Sequence, residues 1–188
     1  LAVSAVLAGL APGLVYYVRG EIEPVALLLA LAAFAAAAAG LWLLWKNRVA
    51  PGLAGLAVAA FVVWANTFGY VAPRLWEFWL SPQIDQMARA VRACPDATLA
   101  TIPYDEPSLV FQYGRTQTKL VATPEEAADT LAADPACALA LVGAKEFPAF
   151  AARAQALGLK LAPRGQVKGR NYNNNRVLEL TLYSVAKR

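Results

Sequence analysis

Apolar residues fill the first eighty positions almost without interruption, and beyond them they recur in short groups separated by charged and turn-forming residues. Three stretches stand out in the first part: Leu1 to Val18, Val25 to Trp45, and Gly52 to about Val71. Each is close to the ~20 residues a helix needs to cross ~30 Å of hydrocarbon, so each predicts a membrane-spanning helix. In the second, the alanine run from Ala35 to Ala39 adds little transfer energy, and insertion rests on Leu27, Leu28, Leu29, Leu31, Phe34, Leu41 and Leu43. Pro12 and Gly13 predict a kinked or shortened first span. Gly52, Gly55, Ala59 and Ala60 lie near helical spacing and predict close packing of the third helix. Asn66 and Thr67 put polar groups near its outer end, where they either serve that packing or line a cavity open to a polar ligand.

Past Leu80 the period changes. Ile84, Met87, Ala88 and Val91 form a helical stripe behind Ser81-Pro82, which reads as an N-cap and a first-turn proline, so a helix is expected from Pro82 to about Ala93. Ala97 to Ile102 reads as a strand, Glu106 to Tyr113 as a helix, and Lys119 to Ala122 as a second strand. A helix follows Thr123-Pro124 to about Ala133, then a buried strand from Ala138 to Val142, and a helix from Lys145 to Leu157 that stops at Gly158. Leu159 to Val167 and Val177 to Val185 read as an antiparallel closing pair. The expected architecture is therefore a transmembrane region over residues 1–80 with about three helices, then a small α/β domain over 81–188. That domain is expected to have three layers and a mostly parallel sheet with an antiparallel edge.

Charge orients the chain. Lys46 and Arg48 stand without an acid between the second and third spans, whereas Arg19 is accompanied by Glu21 and Glu23 between the first and second. The positive-inside rule puts the Lys46 loop in the cytoplasm, so the third span delivers the second half to the extracytoplasmic side. Trp76, Phe78 and Trp79 beside Arg74 then read as an aromatic belt at headgroup depth, with ligand stacking as the other reading. The net charge of +4 comes from scattered bases rather than one patch, which argues against nucleic acid as a partner. Leu1 lies inside an apolar run with no basic segment before it, so the expectation is the tail of a longer chain rather than a secretory signal.

Candidate chemistry is sparse. The sequence has no His and two Cys, which removes imidazole as base or ligand and leaves no thiolate–imidazole zinc set. In an oxidising compartment Cys94 and Cys137 could pair at one edge of the sheet; otherwise they are two buried thiols. Asp105-Glu106 at a strand end could bind a metal or supply a base, but an N-cap with an acidic first turn explains the pair more simply. The stretch Lys168 to Arg176, with Arg170, Asn171 and Tyr172 at its centre, is a long hairpin turn whose cations, amides and phenol also suit a sugar, an anion or a lipid phosphate. No glycine-rich phosphate loop is present, so a nucleotide site has no support.

Taken together, Ser81-Pro82 after an aromatic membrane exit, the phrase Glu106-Pro107-Ser108-Leu109-Val110-Phe111, and Gly169-x-Asn171-Tyr172 before a strand ending Leu182-Tyr183 resemble the C-terminal end of a bacterial glycosyltransferase family. The family is that of the polyprenyl-phosphate-dependent transferases, including the aminoarabinose transferases and protein O-mannosyltransferases. The resemblance implies a multi-span inner-membrane enzyme that takes a sugar from a polyprenyl-phosphate donor. It transfers that sugar on the periplasmic face to a lipid or glycan acceptor, such as lipid A or another glycoconjugate of the cell envelope. The family's catalytic carboxylates sit in an early external loop with no counterpart here. No catalytic residue is therefore assigned, and this segment alone is expected to be inactive. The resemblance implies no cofactor in this segment, any divalent metal belonging to the remainder of the enzyme. Asn66, Arg170, Asn171 and Tyr172 are the candidate substrate or lipid contacts. The alternative reading is a membrane-anchored periplasmic α/β module that binds a partner without catalysis.

Overall fold

The computed structural model describes residues 2–171 and 176–186. The chain divides into two compact units, Leu1–Trp76 and Glu77–Arg188. The division falls before Leu80 because that side chain belongs to the core of the second unit.

The first unit is helical. Helices α1 (Ala2–Arg19) and α2 (Pro24–Trp45) are followed by α3 (Val49–Trp64), which continues through a π-helical segment, Ala65–Val71, into the short α4 (Ala72–Arg74). The last three pieces make one continuous stretch, Val49–Arg74, so among the described residues three helices are long and apolar enough to cross a membrane. That third span outruns the expected Gly52-to-Val71 stretch at both ends. Helix α1 passes through Pro12 without ending there.

Small residues face inward and large ones outward. Ala8, Ala11, Ala26, Ala30, Ala33, Ala37 and Ala59 are buried, while Leu28, Leu31, Trp42 and Phe61 are exposed. This inverts the arrangement of a water-soluble bundle and suits hydrocarbon as solvent, where close backbone approach replaces burial of large side chains. The approach is closest between α2 and α3. A Cβ on Gly40 would lie 2.9 Å from the Gly52 carbonyl oxygen, and one on Gly55 would lie 3.0 Å from Gly40 Cα. Ala60, expected in the same packing face, is exposed instead.

The second unit alternates helix and strand. Its elements are α5 (Leu80–Val91), β1 (Leu99–Ile102), α6 (Pro107–Tyr113), β2 (Thr118–Leu120), α7 (Pro124–Ala133), β3 (Leu139–Gly143), α8 (Phe147–Ala156), β4 (Leu161–Arg170) and β5 (Val177–Val185). The five strands form one mixed sheet in the order β2-β1-β3-β5-β4. Strand β1 pairs parallel with β2 and β3, whereas β5 pairs antiparallel with both β3 and β4. The sheet is thus evenly divided rather than mostly parallel. The β4–β5 hairpin joins the parallel strands through β5 beside β3, so the antiparallel edge is present as expected and makes up two of the five strands.

Alternation along the strands feeds two cores. Leu99, Leu139, Leu141, Leu180 and Leu182 pack with Leu80, Ile84 and Ala88 of α5 and Leu109 and Tyr113 of α6. Ala100, Ile102, Ala140 and Val142 pack with Ala127 and Leu131 of α7 and Phe150 and Ala154 of α8. Where sequence signals for helix starts depended on a side-chain cap, the results split. Thr123, the residue the expected helix follows, caps α7, its Oγ1 accepting from Glu126 N. Ser81 does not cap α5, which begins at Leu80 with Trp79 in the cap position. Asp105 is likewise displaced by Glu106 as the cap residue of α6, and the Glu106 side chain makes no capping bond.

Candidate functional site

One group of polar residues in the first unit gathers where α1 ends, α2 begins and the third apolar helix ends. Glu23 precedes α2, and its Oε2 accepts from Ala26 N at 2.6 Å, an N-cap on a helix whose Pro24 is preset for the first turn. Its Oε1 accepts from the Tyr70 hydroxyl at 2.9 Å. The Arg74 guanidinium lies 3.9 Å from the centre of the Tyr70 ring and donates to the Tyr70 carbonyl, while Arg19 donates to the Arg74 carbonyl. The backbone N–H of Ala26 is the chief reason that the Glu23 carboxyl is held below its usual range. Desolvation opposes the shift, and the Tyr70 hydroxyl assists it.

Asn66 lies beneath this cluster in the π-helical segment and is 1% exposed. Its Nδ2 donates to the Ala26 carbonyl at 2.9 Å, and its Oδ1 is a buried acceptor with no partner among the described residues. Thr67 bonds back to the Val63 carbonyl and is satisfied within its own helix. Asn66 therefore joins the third span to the first turn of α2. Sequence reading singled out Asn66 as a candidate contact, assigned Arg74 to the aromatic belt and did not name Tyr70. The available signal was their spacing: residues 66, 70 and 74 recur every fourth position in a span whose other polar side chain is Thr67.

In the second unit the candidate hairpin differs from its expected form. Lys168, Gly169 and Arg170 belong to β4, with Arg170 in register with Val177, so the connection is shorter than the stretch from Lys168 to Arg176. Lys168 pairs with Glu179 across the strands. Asn171 is buried, and its N–H donates to the Arg176 carbonyl at 2.9 Å. Tyr172 lies outside the described residues. A Cβ on Gly169 would meet the Glu77 carbonyl oxygen at 2.5 Å and Leu80 Cδ2 at 2.6 Å. The hairpin's far end is thus held against the segment through which the chain enters this unit, bringing Arg170 and Asn171 to that end of the sheet. Asn66 belongs to the other unit, and the four candidates do not form one described site.

Cys94 and Cys137 form a disulfide, their Cα atoms 5.4 Å apart. They lie at the opposite end of the sheet, where an open basin of about 1050 Å³ is lined by both cysteines and by Arg92, Lys160 and Arg164. Asp105 lies in a shallow depression with Phe111, Arg115 and Leu120, whereas Glu106 is buried, so the pair does not present two carboxylates to one ligand. Among the described residues no three His, Cys, Asp or Glu side chains come together to hold a metal ion. A chain of hydroxyls escaped sequence reading: Ser81 Oγ lies 2.8 Å from both Tyr104 OH and Ser108 Oγ. Ser81 and Ser108 each sat in a Pro-containing helix start, which masked any other use. Comparisons with protein-family models, with curated protein sequences and with solved structures give no match.

Proposed function

We propose that this chain is the C-terminal part of an inner-membrane glycosyltransferase of the polyprenyl-phosphate-dependent kind. In this reading the sugar passes from its polyprenyl-phosphate carrier to a lipid or glycan acceptor, and the α/β unit lies on the periplasmic side. The spans belong to the wall of the membrane cavity. The α/β unit caps the mouth of that cavity and orders the acceptor, while the reacting carboxylates lie elsewhere in the longer protein. One observation carries the reading: Gly169, the first residue of the Gly169-x-Asn171-Tyr172 motif, packs against Glu77 and Leu80, directly after the end of the third span in the sequence. A motif held there can meet a lipid-linked substrate, and Arg170 supplies a cation suited to a phosphate.

The test begins with the intact mass of the protein isolated from its native membrane. A mass well above 20.0 kDa is required, since the family's catalytic carboxylates have no counterpart in this segment. In that full-length protein, Arg170→Ala is expected to lower transfer from a polyprenyl-phosphate sugar by about tenfold, the scale of one charge-assisted hydrogen bond. Unchanged kinetics in a folded variant would remove the capping role. A native mass near 20 kDa would leave the membrane-anchored binding module as the better description.

A further inference from the structure

We infer that the second unit carries a binding pocket for one uncharged sugar ring, between the start of α5 and the outer face of α6. The cavity encloses about 350 Å³, at the low end of the ~300–1,000 Å³ typical of small-ligand sites, which suits a single ring rather than an oligosaccharide. Phe78, Trp79 and Pro82 form its apolar wall, and Trp79 is 45% exposed, leaving an indole surface open to a ligand. Ser108 and Gln112, one helical turn apart on α6, face that wall. Ser81 and Tyr104 complete the lining from the buried side.

The polar groups decide the ligand class. No charged side chain lines the cavity among the described residues, so neither a phosphate nor a carboxylate finds a counter-charge. Ser81 has one hydroxyl hydrogen and two oxygen neighbours at 2.8 Å, so it donates to at most one of them. If Ser81 donates to Ser108, the Ser108 hydrogen is left for the cavity; if Ser108 donates to Ser81, its lone pairs are left. Ser108 can therefore give or accept a hydrogen bond. The Gln112 carboxamide, which has no protein partner among the described residues, offers both at once. A hydrocarbon chain in this space would leave these groups unmatched. A pyranose matches them, because it presents C–H faces to an aromatic wall and hydroxyls at its rim.

The inference stands on this cavity and not on the transferase reading, since the chain binds a glycoside or fails to, whatever longer protein it belongs to. The experiment is saturation-transfer NMR on the whole chain in lipid nanodiscs. The probes are methyl β-D-glucopyranoside, methyl β-D-galactopyranoside and methyl α-D-mannopyranoside, 1-hexanol is the hydrocarbon probe, and empty discs are the blank. Saturation of ring protons is expected for at least one glycoside, with Kd in the millimolar range. Trp79→Ala should abolish it, and Gln112→Ala should weaken it by about tenfold. Gln112 is exposed, so its variant keeps the fold even if the Trp79 variant does not. Phe111→Ala, outside the cavity, should leave binding unchanged. Glycoside signals no larger than those from empty discs, signals indifferent to Gln112→Ala, or saturation of hexanol alone would each overturn the assignment.

Discussion

Glu23 does two things at the head of α2: one carboxylate oxygen caps the helix through Ala26 N, and the other takes the Tyr70 hydroxyl from the third span. Both hydrogen bonds favour the charged form, so the folded-state pKa lies below that of the unfolded chain. The stabilising contribution is therefore present above the unfolded value and is lost as pH falls through the lower, folded one. In a carbon-13 carboxyl titration of the full chain, Glu23 should titrate below a free glutamate. Tyr70→Phe should move the midpoint upward by removing one of the two donors, and an unmoved midpoint would mean that this bond is not formed. Gly169 makes a different demand. A methyl group there collides with a backbone carbonyl as well as with Leu80, and the carbonyl cannot swing aside as a side-chain tip can. Gly169→Ala should cost about 1–3 kcal/mol, the usual penalty for overpacking, seen as a lower thermal midpoint of the second unit.

At the scale of elements, the chain announced most of what it forms. Leucine- and alanine-rich runs became three helices long and apolar enough to cross a membrane, and the strand-helix alternation after Leu80 became the α/β unit. Three features were not legible. The π-helical segment holds Asn66 in its bond to Ala26, a contact forty residues apart that no local period encodes. The position of β5 between β3 and β4 is a matter of pairing, since the same apolar alternation would suit an edge. The hydroxyl chain through Ser81 was hidden by a local cap signal that tertiary packing overrode. The packing of α2 on α3 was legible in part, through Gly52 and Gly55, but its partner Gly40 was not singled out. A Cβ on Gly52 would meet Leu44 at 2.7 Å and the Gly40 carbonyl at 3.0 Å, so a side chain there forces the helices apart. Gly52→Leu should reduce the yield of folded protein in mild detergent and lower its thermal midpoint. The same change at Gly9, where a Cβ meets nothing within 4 Å, should leave both unchanged.

For the molecule as a whole, the proposal that the second unit lies outside the cytoplasm rests on two unlike features. The Lys46-Asn47-Arg48 connection between α2 and α3 is basic and free of acids, and a cytoplasmic position for it sends residues after Arg74 to the other side. The Cys94–Cys137 bond closes a loop with a sequence separation of 43 and stabilises by roughly 3–4 kcal/mol through chain entropy, which operates only where disulfides persist. Charge bias and thiol chemistry are independent grounds for the extracytoplasmic placement proposed above, and labelling tests it directly. Because both native cysteines are bonded, a single introduced cysteine reports its own side when intact cells are treated with a membrane-impermeant maleimide. Asn47→Cys, in the basic connection, is expected to stay unlabelled until the membrane is opened. Gln155→Cys, exposed on α8, is expected to label at once. The reverse pattern would turn the molecule over, leave the disulfide in a reducing compartment and remove the periplasmic donor from reach. Labelling at both positions in intact cells would instead mean that the third helix does not cross.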